Sequence, residues 1–349
     1  MRVAIDNGPL SSGHSVRGVG AYTRELINAL GSQAEAVDFA KTDLSDYDIL
    51  HYPYFNPFIV TLPFRKTAKI VVTIHDLIPL LYPTHYVPGI KGDIKYFVNK
   101  ILIKKVDAII TDTETSKKDI VRFLSVPYEK VHVVYLAPRK IFKKIVDKKM
   151  LKSIQEKYNL PKEFVLYVGD INYNKNIPGL INAARIAKMP LVIVGKQAVE
   201  IEDLARDMKS ISGVRDFIRF LLGKPHPELK HYQEIVKSLE NNTDVFRLGY
   251  VSDEDLVAIY NLSSIYCQPS FYEGFGLPVL EAVTCGSKVV ASRTQALVEV
   301  LGNASIYFDP KSPDEIARAL KINTKNGKLP REYSWTKTAK ETMDVYKSI

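Results

Sequence analysis

The sequence predicts an α/β protein built from two doubly wound domains, each a parallel sheet covered by helices. Three observations carry this. Short apolar, β-branched runs alternate with amphipathic helical patterns along most of the chain. The alternation occurs twice, with a lysine-rich stretch from Arg139 to Lys162 between the two series. The length of 349 residues fits two domains of about 100–200 residues each. The division is placed near residue 150, giving domains at 1–150 and 151–334, with a final helix at 335–349 returning to the first.

The first series opens at Val3–Ile5 and continues with Ile49–His51, Ile70–Ile74, Ala108–Ile110 and Val131–Tyr135, each short and apolar enough for a strand buried on both faces. Helical spacing appears at Ala21–Leu30 and Lys117–Leu124. The second series runs through Phe164–Val168, Leu191–Val194, Val245–Leu248, Ile265–Gln268, Lys288–Ala291 and Ser305–Phe308. Its helices are expected at Pro178–Ala187, Asp253–Asn261, Pro278–Cys285 and Pro313–Leu320, three of them opened by a proline, which suits a first turn. Residues 198–241 are charged and irregular and read as a helical insertion. Trp335, Ala339, Met343 and Tyr346 form an apolar stripe at helical spacing.

Composition removes several classes. With 46% apolar and 25% charged residues the chain can bury a core and is too apolar for disorder. No apolar run approaches the length of a spanning helix. The opening MRVAIDNGPL turns polar too soon for a signal peptide. Two cysteines, Cys267 and Cys285, argue against a disulfide framework or a cysteine-rich zinc site, which makes a cytoplasmic location the expectation. The net charge of +9 is concentrated in residues 91–162, where 18 Lys/Arg face 8 Asp/Glu. Such a stretch is either a solvated face or a surface for anionic partners. Within it, Ile94, Phe97, Val98, Ile101 and Leu102 fall on one helical face, away from Lys91, Lys95 and Lys104. That pattern reads first as a core-facing helix with a basic exterior, and second as a helix lying on an anionic membrane.

The most informative segment is Ser270-Phe-Tyr-Glu-Gly-Phe-Gly-Leu-Pro-Val-Leu-Glu281. It reads as a strand end, a glycine loop and a helix opened by Pro278 and closed by Gly286. In open parallel sheets ligands bind beyond the carboxyl ends of the strands, and a helix N-terminus there favours phosphate. Glu273 and Glu281 can each accept two hydroxyl hydrogen bonds, as a sugar or ribose offers, although a helix-capping glutamate gives the same pattern. Lys175 by itself reads as a surface lysine, His75 as a satisfied core histidine, and Gly18-Val-Gly20 as a tight turn without the third glycine of a dinucleotide fingerprint.

The pair of glutamates framing Gly-Phe-Gly-Leu-Pro resembles the signature of family 4 retaining glycosyltransferases. Further segments resemble the same family in the same order. They are Arg17–Leu26, Thr73-Ile-His-Asp-Leu-Ile-Pro-Leu-Leu-Tyr-Pro83, Ala108–Pro138, Tyr167-Val-Gly-Asp170 with Asn174-Lys-Asn176, Cys285–Ser292 and Ala296–Gly302. The His-Asp segment is similar to that of bacterial polysaccharide mannosyl- and rhamnosyltransferases. The resemblance implies a GT-B fold, two Rossmann-like domains facing across a cleft, with the acceptor on the first and the nucleotide-sugar on the second.

By the same resemblance, His75, Glu273 and Lys175 are the catalytic candidates. Glu281 would grip the ribose, Lys175 the diphosphate, and Glu273 and His75 the donor sugar. Gly274, Phe275, Gly276, Leu277, Gly169 and Asn174 would line the donor site, and Gly18, Val19 and Gly20 a phosphate or acceptor loop. The implied reaction is retaining hexosyl transfer by front-face attack, without metal or cofactor, from a GDP- or UDP-sugar, with GDP-mannose preferred. The acceptor would be a glycan or lipid-linked glycan in cell-surface polysaccharide synthesis, met at the inner face of an anionic membrane through the basic region 91–162. One departure stands out: Asp170 and Asn174 occupy places where relatives carry an arginine, so a second cation would come from elsewhere, with Lys196 and Arg293 as candidates. The competing readings are a GT-B binding protein without activity, another GT-B enzyme such as an epimerase or phosphorylase, and nucleic-acid binding, for which no base-reading motif is present.

Overall fold

The computed structural model describes residues 1–11, 18–207, 227–240, 242, 244–323 and 327–349. Two compact units form. The first takes in Met1–Leu81, Pro88–Ala137 and Glu332–Ile349, and the second Tyr82–Val87 and Pro138–Arg331.

In the first unit six strands run parallel: β1 Val3–Asp6, β2 Glu35–Val37, β3 Ile49–Tyr52, β4 Lys69–Thr73, β5 Ala108–Thr111 and β6 Val131–Val133. Their order is β2-β1-β3-β4-β5-β6, so the winding reverses between β1 and β3. Ala4, Val71, Val72 and Ile109 are fully buried, as expected for strands covered on both faces. The helix Gly18–Leu30 buries Tyr22, Leu26 and Leu30, and the helix Glu114–Leu124 is capped by Thr113, whose hydroxyl accepts from Ser116 N. The final helix, Trp335–Ser348, buries the stripe of Trp335, Ala339, Met343 and Tyr346 in this unit.

The second unit repeats the plan with β7 Val165–Val168, β8 Leu191–Val194, β9 Val245–Leu248, β10 Ile265–Gln268, β11 Val289–Ser292 and β12 Ile306–Phe308. All are parallel, in the order β12-β11-β10-β7-β8-β9. The winding reverses between β7 and β10, and the loops leaving those two strands open the crevice where such sheets bind ligands.

Several expectations need correction. The units meet at Ala137 and Pro138, earlier than residue 150, and Tyr82–Val87 groups with the second unit because its aromatic side chains pack there. The basic stretch 91–162 is therefore divided between the units. Strand β2 was not expected: it is a short edge strand, exposed or half-buried throughout, and carries no apolar run. Lys148–Lys157 is a helix, capped by Asp147, where a lysine-rich connector was expected. Gly18, Val19 and Gly20 form the first turn of the helix Gly18–Leu30 and not a loop before it. Of the insertion at 198–241, Ile201–Asp207 and Pro227–Leu239 are helical, while residues 208–226, and Arg17 before the first helix, lie outside the described residues.

One contact fixes the spacing of two neighbouring strand ends. A Cβ on Gly195, just after β8, would stand 2.3 Å from the carbonyl oxygen of Gly169, just after β7. Backbone cannot move aside as a side chain can. Gly195→Ala is expected to cost about 1–3 kcal/mol in urea denaturation, and an unchanged midpoint would show that the two ends do not touch.

Candidate active site

The site of the second unit grows from β7 and β10. After β7 the chain passes Gly169, makes a single 3-10 turn at Tyr173–Lys175, and closes it with Asn176 in the left-handed region at φ 54°. The helix Ile177–Ala187 follows, with Pro178 in its first turn. After β10 the chain runs from Pro269 to Gly276, which has φ 93°, and enters the helix Leu277–Cys285. A Cβ on Gly276 would lie 2.8 Å from Leu297 Cδ2, so both backbone angle and space require glycine. Gly274 and Phe275 are buried just before it, and Leu277 is the first helical residue.

Lys175 and Glu273 face each other across these two loops. Lys175 Nζ donates to both carboxylate oxygens of Glu273, at 2.8 and 2.9 Å. Gln268 Nε2 and Ser270 Oγ donate to Glu273 Oε1 at 2.8 and 2.6 Å, and Tyr266 OH in turn donates to Gln268 Oε1. The Glu273 side chain is 7% exposed and that of Lys175 is 22% exposed. The carboxylate is thus satisfied from inside the fold, while the ammonium keeps an edge to solvent and a third N–H for an anion.

The asparagines beside Lys175 hold it in place. Asn174 Oδ1 accepts from Tyr86 OH at 2.6 Å, its Nδ2 donates to Tyr272 O at 3.1 Å, and its carbonyl accepts from Phe271 N at 2.7 Å. Asn176 Nδ2 donates to the carbonyls of Pro269 and Pro310 at 3.1 and 2.7 Å. The ring of Tyr173 stacks on His85, with centroids 3.4 Å apart. Asn174, expected to line the donor site, has its side-chain amide engaged by Tyr86 and Tyr272.

Glu281 sits in a second polar group on the helix Leu277–Cys285. Tyr260 OH donates to its Oε2 at 3.2 Å, and Arg139 Nε lies 4.0 Å from its Oε1. Arg139 also donates from Nη1 to Asp253 Oδ2 at 2.5 Å and lies over the Phe142 ring. Burial pushes the Glu281 carboxyl up to about 7 against the opposing pull of Arg139. The sequence offered no signal for Arg139 beyond general lysine richness. Of the two candidate second cations, Lys196 pairs with Glu200 and Arg293 lies over Tyr307.

His75 belongs to the first unit, beyond the end of β4. Its Nδ1 meets Asp112 Oδ2 at 2.8 Å, and its carbonyl accepts from Ser116 Oγ. Tyr22, one turn into the helix that begins with Gly18, Val19 and Gly20, presents its ring edge to His75 at 4.6 Å and hydrogen-bonds Thr73 Oγ1 at 2.9 Å. Thr73 Oγ1 also meets His51 Nε2 at 2.7 Å, and His51 Nδ1 meets Tyr346 OH at 2.6 Å. Burial lowers the affinity of the His75 ring for a proton, and the Asp112 carboxylate outweighs it, so His75 stands above the ordinary histidine value. His51 has no such partner and is pushed down to about 3 by burial. Asp112, buried after β5, was not among the candidate residues read from the sequence.

The structure thus brings Lys175, Glu273 and Asn174 into one cluster, places Glu281 with Arg139 and Tyr260, and sets His75 beside Tyr22 and Asp112. Asp112→Asn removes the anion that keeps His75 basic. The His75 titration, followed by NMR of the ring protons, is expected to shift down by about one pH unit or more; an unchanged titration would contradict the pairing.

Comparison with known proteins defines the family. The model for Glycosyl transferases group 1 matches residues 151–342, and that for Glycosyltransferase Family 4 matches residues 36–137. The serotype-specific mannosyltransferase WbdA of Escherichia coli is 28% identical over 293 residues, covering 80% of this chain and 33% of WbdA. The chain therefore spans about a third of that relative's length. The O-antigen chain mannosyltransferase B of Escherichia coli is 29% identical over 332 residues, covering 89% of this chain and 77% of that protein. Among solved structures, Anabaena Alr3699/HepE in complex with UDP and glucose superposes with a TM-score of 0.68 over 100% of this chain and 99% of that one, at 14% identity. The two parallel six-stranded sheets are those of the GT-B fold, and the chain belongs to the group 1 glycosyl transferases.

Proposed function

We propose that this glycosyltransferase moves a mannosyl residue from GDP-mannose to a glycan or lipid-linked glycan in the synthesis of a cell-surface polysaccharide, at the cytoplasmic side of the membrane, with retention at the anomeric carbon and without a metal. The observation that carries the reading is the Lys175–Glu273 pair at the reversal point of a doubly wound sheet, beside the helix that begins at Leu277. The mannosyl group and the polysaccharide product follow the names of the relatives, WbdA and the O-antigen chain mannosyltransferase B. A UDP-sugar is the other donor class, as UDP is bound by Alr3699/HepE.

In this reading the donor diphosphate takes the third N–H of Lys175 and the N-terminus of the helix Leu277–Cys285. Glu281 accepts from the ribose hydroxyls, with Arg139 beside it opposing the rise that burial imposes on its carboxyl. On the first unit Asp112 orients His75 and keeps its ring basic, ready to act as a proton-bearing donor. The acceptor hydroxyl oxygen forms the new bond to the anomeric carbon on the face that the diphosphate leaves. The bond from that carbon to the phosphate oxygen breaks, and the departing phosphate takes the acceptor's proton. Charge builds on the leaving diphosphate, and a fixed ammonium beside it lowers the barrier.

Thermal-shift titration with GDP, GDP-mannose, UDP and UDP-glucose tests the donor. A ligand that binds only the folded state raises the midpoint as its concentration exceeds Kd. GDP and GDP-mannose are expected to raise it at lower concentration than the uridine compounds, and Glu281→Ala to weaken the effect at least tenfold while the protein stays folded. A shift confined to UDP and UDP-glucose would replace the donor assignment, and no shift with any of the four would overturn the reading.

A further inference from the structure

The helix Gly89–Leu102 directs its large apolar side chains away from the core. It buries Gly89, Gly92, Asn99 and Leu102 against its unit. Asn99 anchors it, donating from Nδ2 to the carbonyls of Asn56, Pro57 and Ile59 at 3.1, 2.9 and 3.0 Å. Gly92 faces Phe58, whose Cβ would lie 3.7 Å from a Cβ placed on that glycine. On the opposite side Ile90, Ile94, Phe97 and Ile101 are 48%, 60%, 66% and 47% exposed. Their spacing of four, three and four residues confines them to an arc of about 60° along the whole helix. Ile59, on the segment that Asn99 ties to the helix, is 48% exposed as well. This corrects the sequence reading of the helix as core-facing: Leu102 is buried, while Ile94, Phe97 and Ile101 point outward.

Charge follows the edges of the stripe. At 100° per residue, Lys91 and Lys95 lie along one edge and Lys100 on the other, and Lys104 and Lys105 stand at the C-terminal end. Lys91, Lys95, Lys104 and Lys105 are exposed, and Asp93 is the one acidic residue between Gly89 and Lys105. A contiguous exposed apolar row is not a neutral feature of a water-facing helix. The surrounding lysines disfavour a second copy of this chain, which would bring like charge against like.

We propose that the helix Gly89–Leu102 seats this protein on an anionic phospholipid surface, with Ile90, Ile94, Phe97 and Ile101 in the boundary between headgroups and acyl chains and the flanking lysines on the lipid phosphates. A single stripe of this length gives reversible attachment, strengthened by negative lipid and weakened by salt. The proposal stands apart from the donor assignment, since attachment needs neither nucleotide nor sugar.

The test is co-sedimentation of the full chain with vesicles of phosphatidylcholine alone and of phosphatidylcholine with about a quarter phosphatidylglycerol, at low and high salt. The protein is expected to sediment with the anionic vesicles and to be released by salt. Ile94→Ser with Phe97→Ser, both on the exposed stripe, is expected to reduce binding at least tenfold with an unchanged melting midpoint, and Lys91→Glu with Lys95→Glu to do the same on anionic vesicles. Undiminished binding by the serine variant would overturn the proposal. So would failure of the unmodified protein to bind, or sedimentation-velocity evidence of a dimer that the serine variant converts to monomer, which would assign the stripe to self-association.

Discussion

The Lys175–Glu273 ion pair is the interaction on which the geometry of the second unit's site depends. Removing two charges from water is costly unless each finds partners of good geometry. Glu273 meets that condition through Lys175, Gln268 and Ser270, and Gln268 is fixed in turn by Tyr266. The short 3-10 turn, the left-handed Asn176 and the ties of Asn174 bring the ammonium to the carboxylate. The pair locks the loop after β7 to the loop after β10, the two loops at the point where the winding reverses. The ammonium is then a fixed charge whose surroundings need little rearrangement when an anion arrives, the condition under which electrostatic stabilisation is most effective.

Pairing of buried charge recurs at the other candidate positions with different outcomes. Glu281 has Tyr260 as donor and Arg139 at 4.0 Å, a looser arrangement than that of Glu273, and burial raises its carboxyl toward neutrality. His75 has the buried Asp112 at 2.8 Å, which fixes Nδ1 and directs the rest of the ring. His51, in the same sheet but paired only with hydroxyls, stays neutral and serves packing. Two histidines near neighbouring strand ends thus differ because one has a carboxylate and the other does not, a difference of tertiary structure that their local sequences do not display.

Most strands and helices were legible because burial on both faces of a parallel sheet leaves short, continuous apolar runs. Strand β2 was not, since an edge strand of three residues needs no such run. Glu273 and Glu281 stood out through the glycine and proline punctuation around them and through family resemblance, and Lys175 through family resemblance alone. Asp112 and Arg139 were not, because each is distant in sequence from the group it serves. Asn174, noted in the sequence as a departure from an expected arginine, bonds Tyr86 and Tyr272 through its side chain. The helix Gly89–Leu102 shows the limit of periodicity most plainly: spacing located an apolar face but not its direction, and the side turned to the unit is the one where Asn99 ties to the carbonyls of Asn56, Pro57 and Ile59.

The central claim is that the positive charge of Lys175 assists departure of the diphosphate. Turnover of GDP-mannose at saturating donor, compared between the unmodified protein and Lys175→Ala under conditions where both are folded, tests it most directly. The account predicts a fall in kcat of about 10²–10³-fold, the loss that accompanies removal of one electrostatic stabiliser. A kcat close to that of the unmodified protein would contradict it and place the stabilising charge elsewhere.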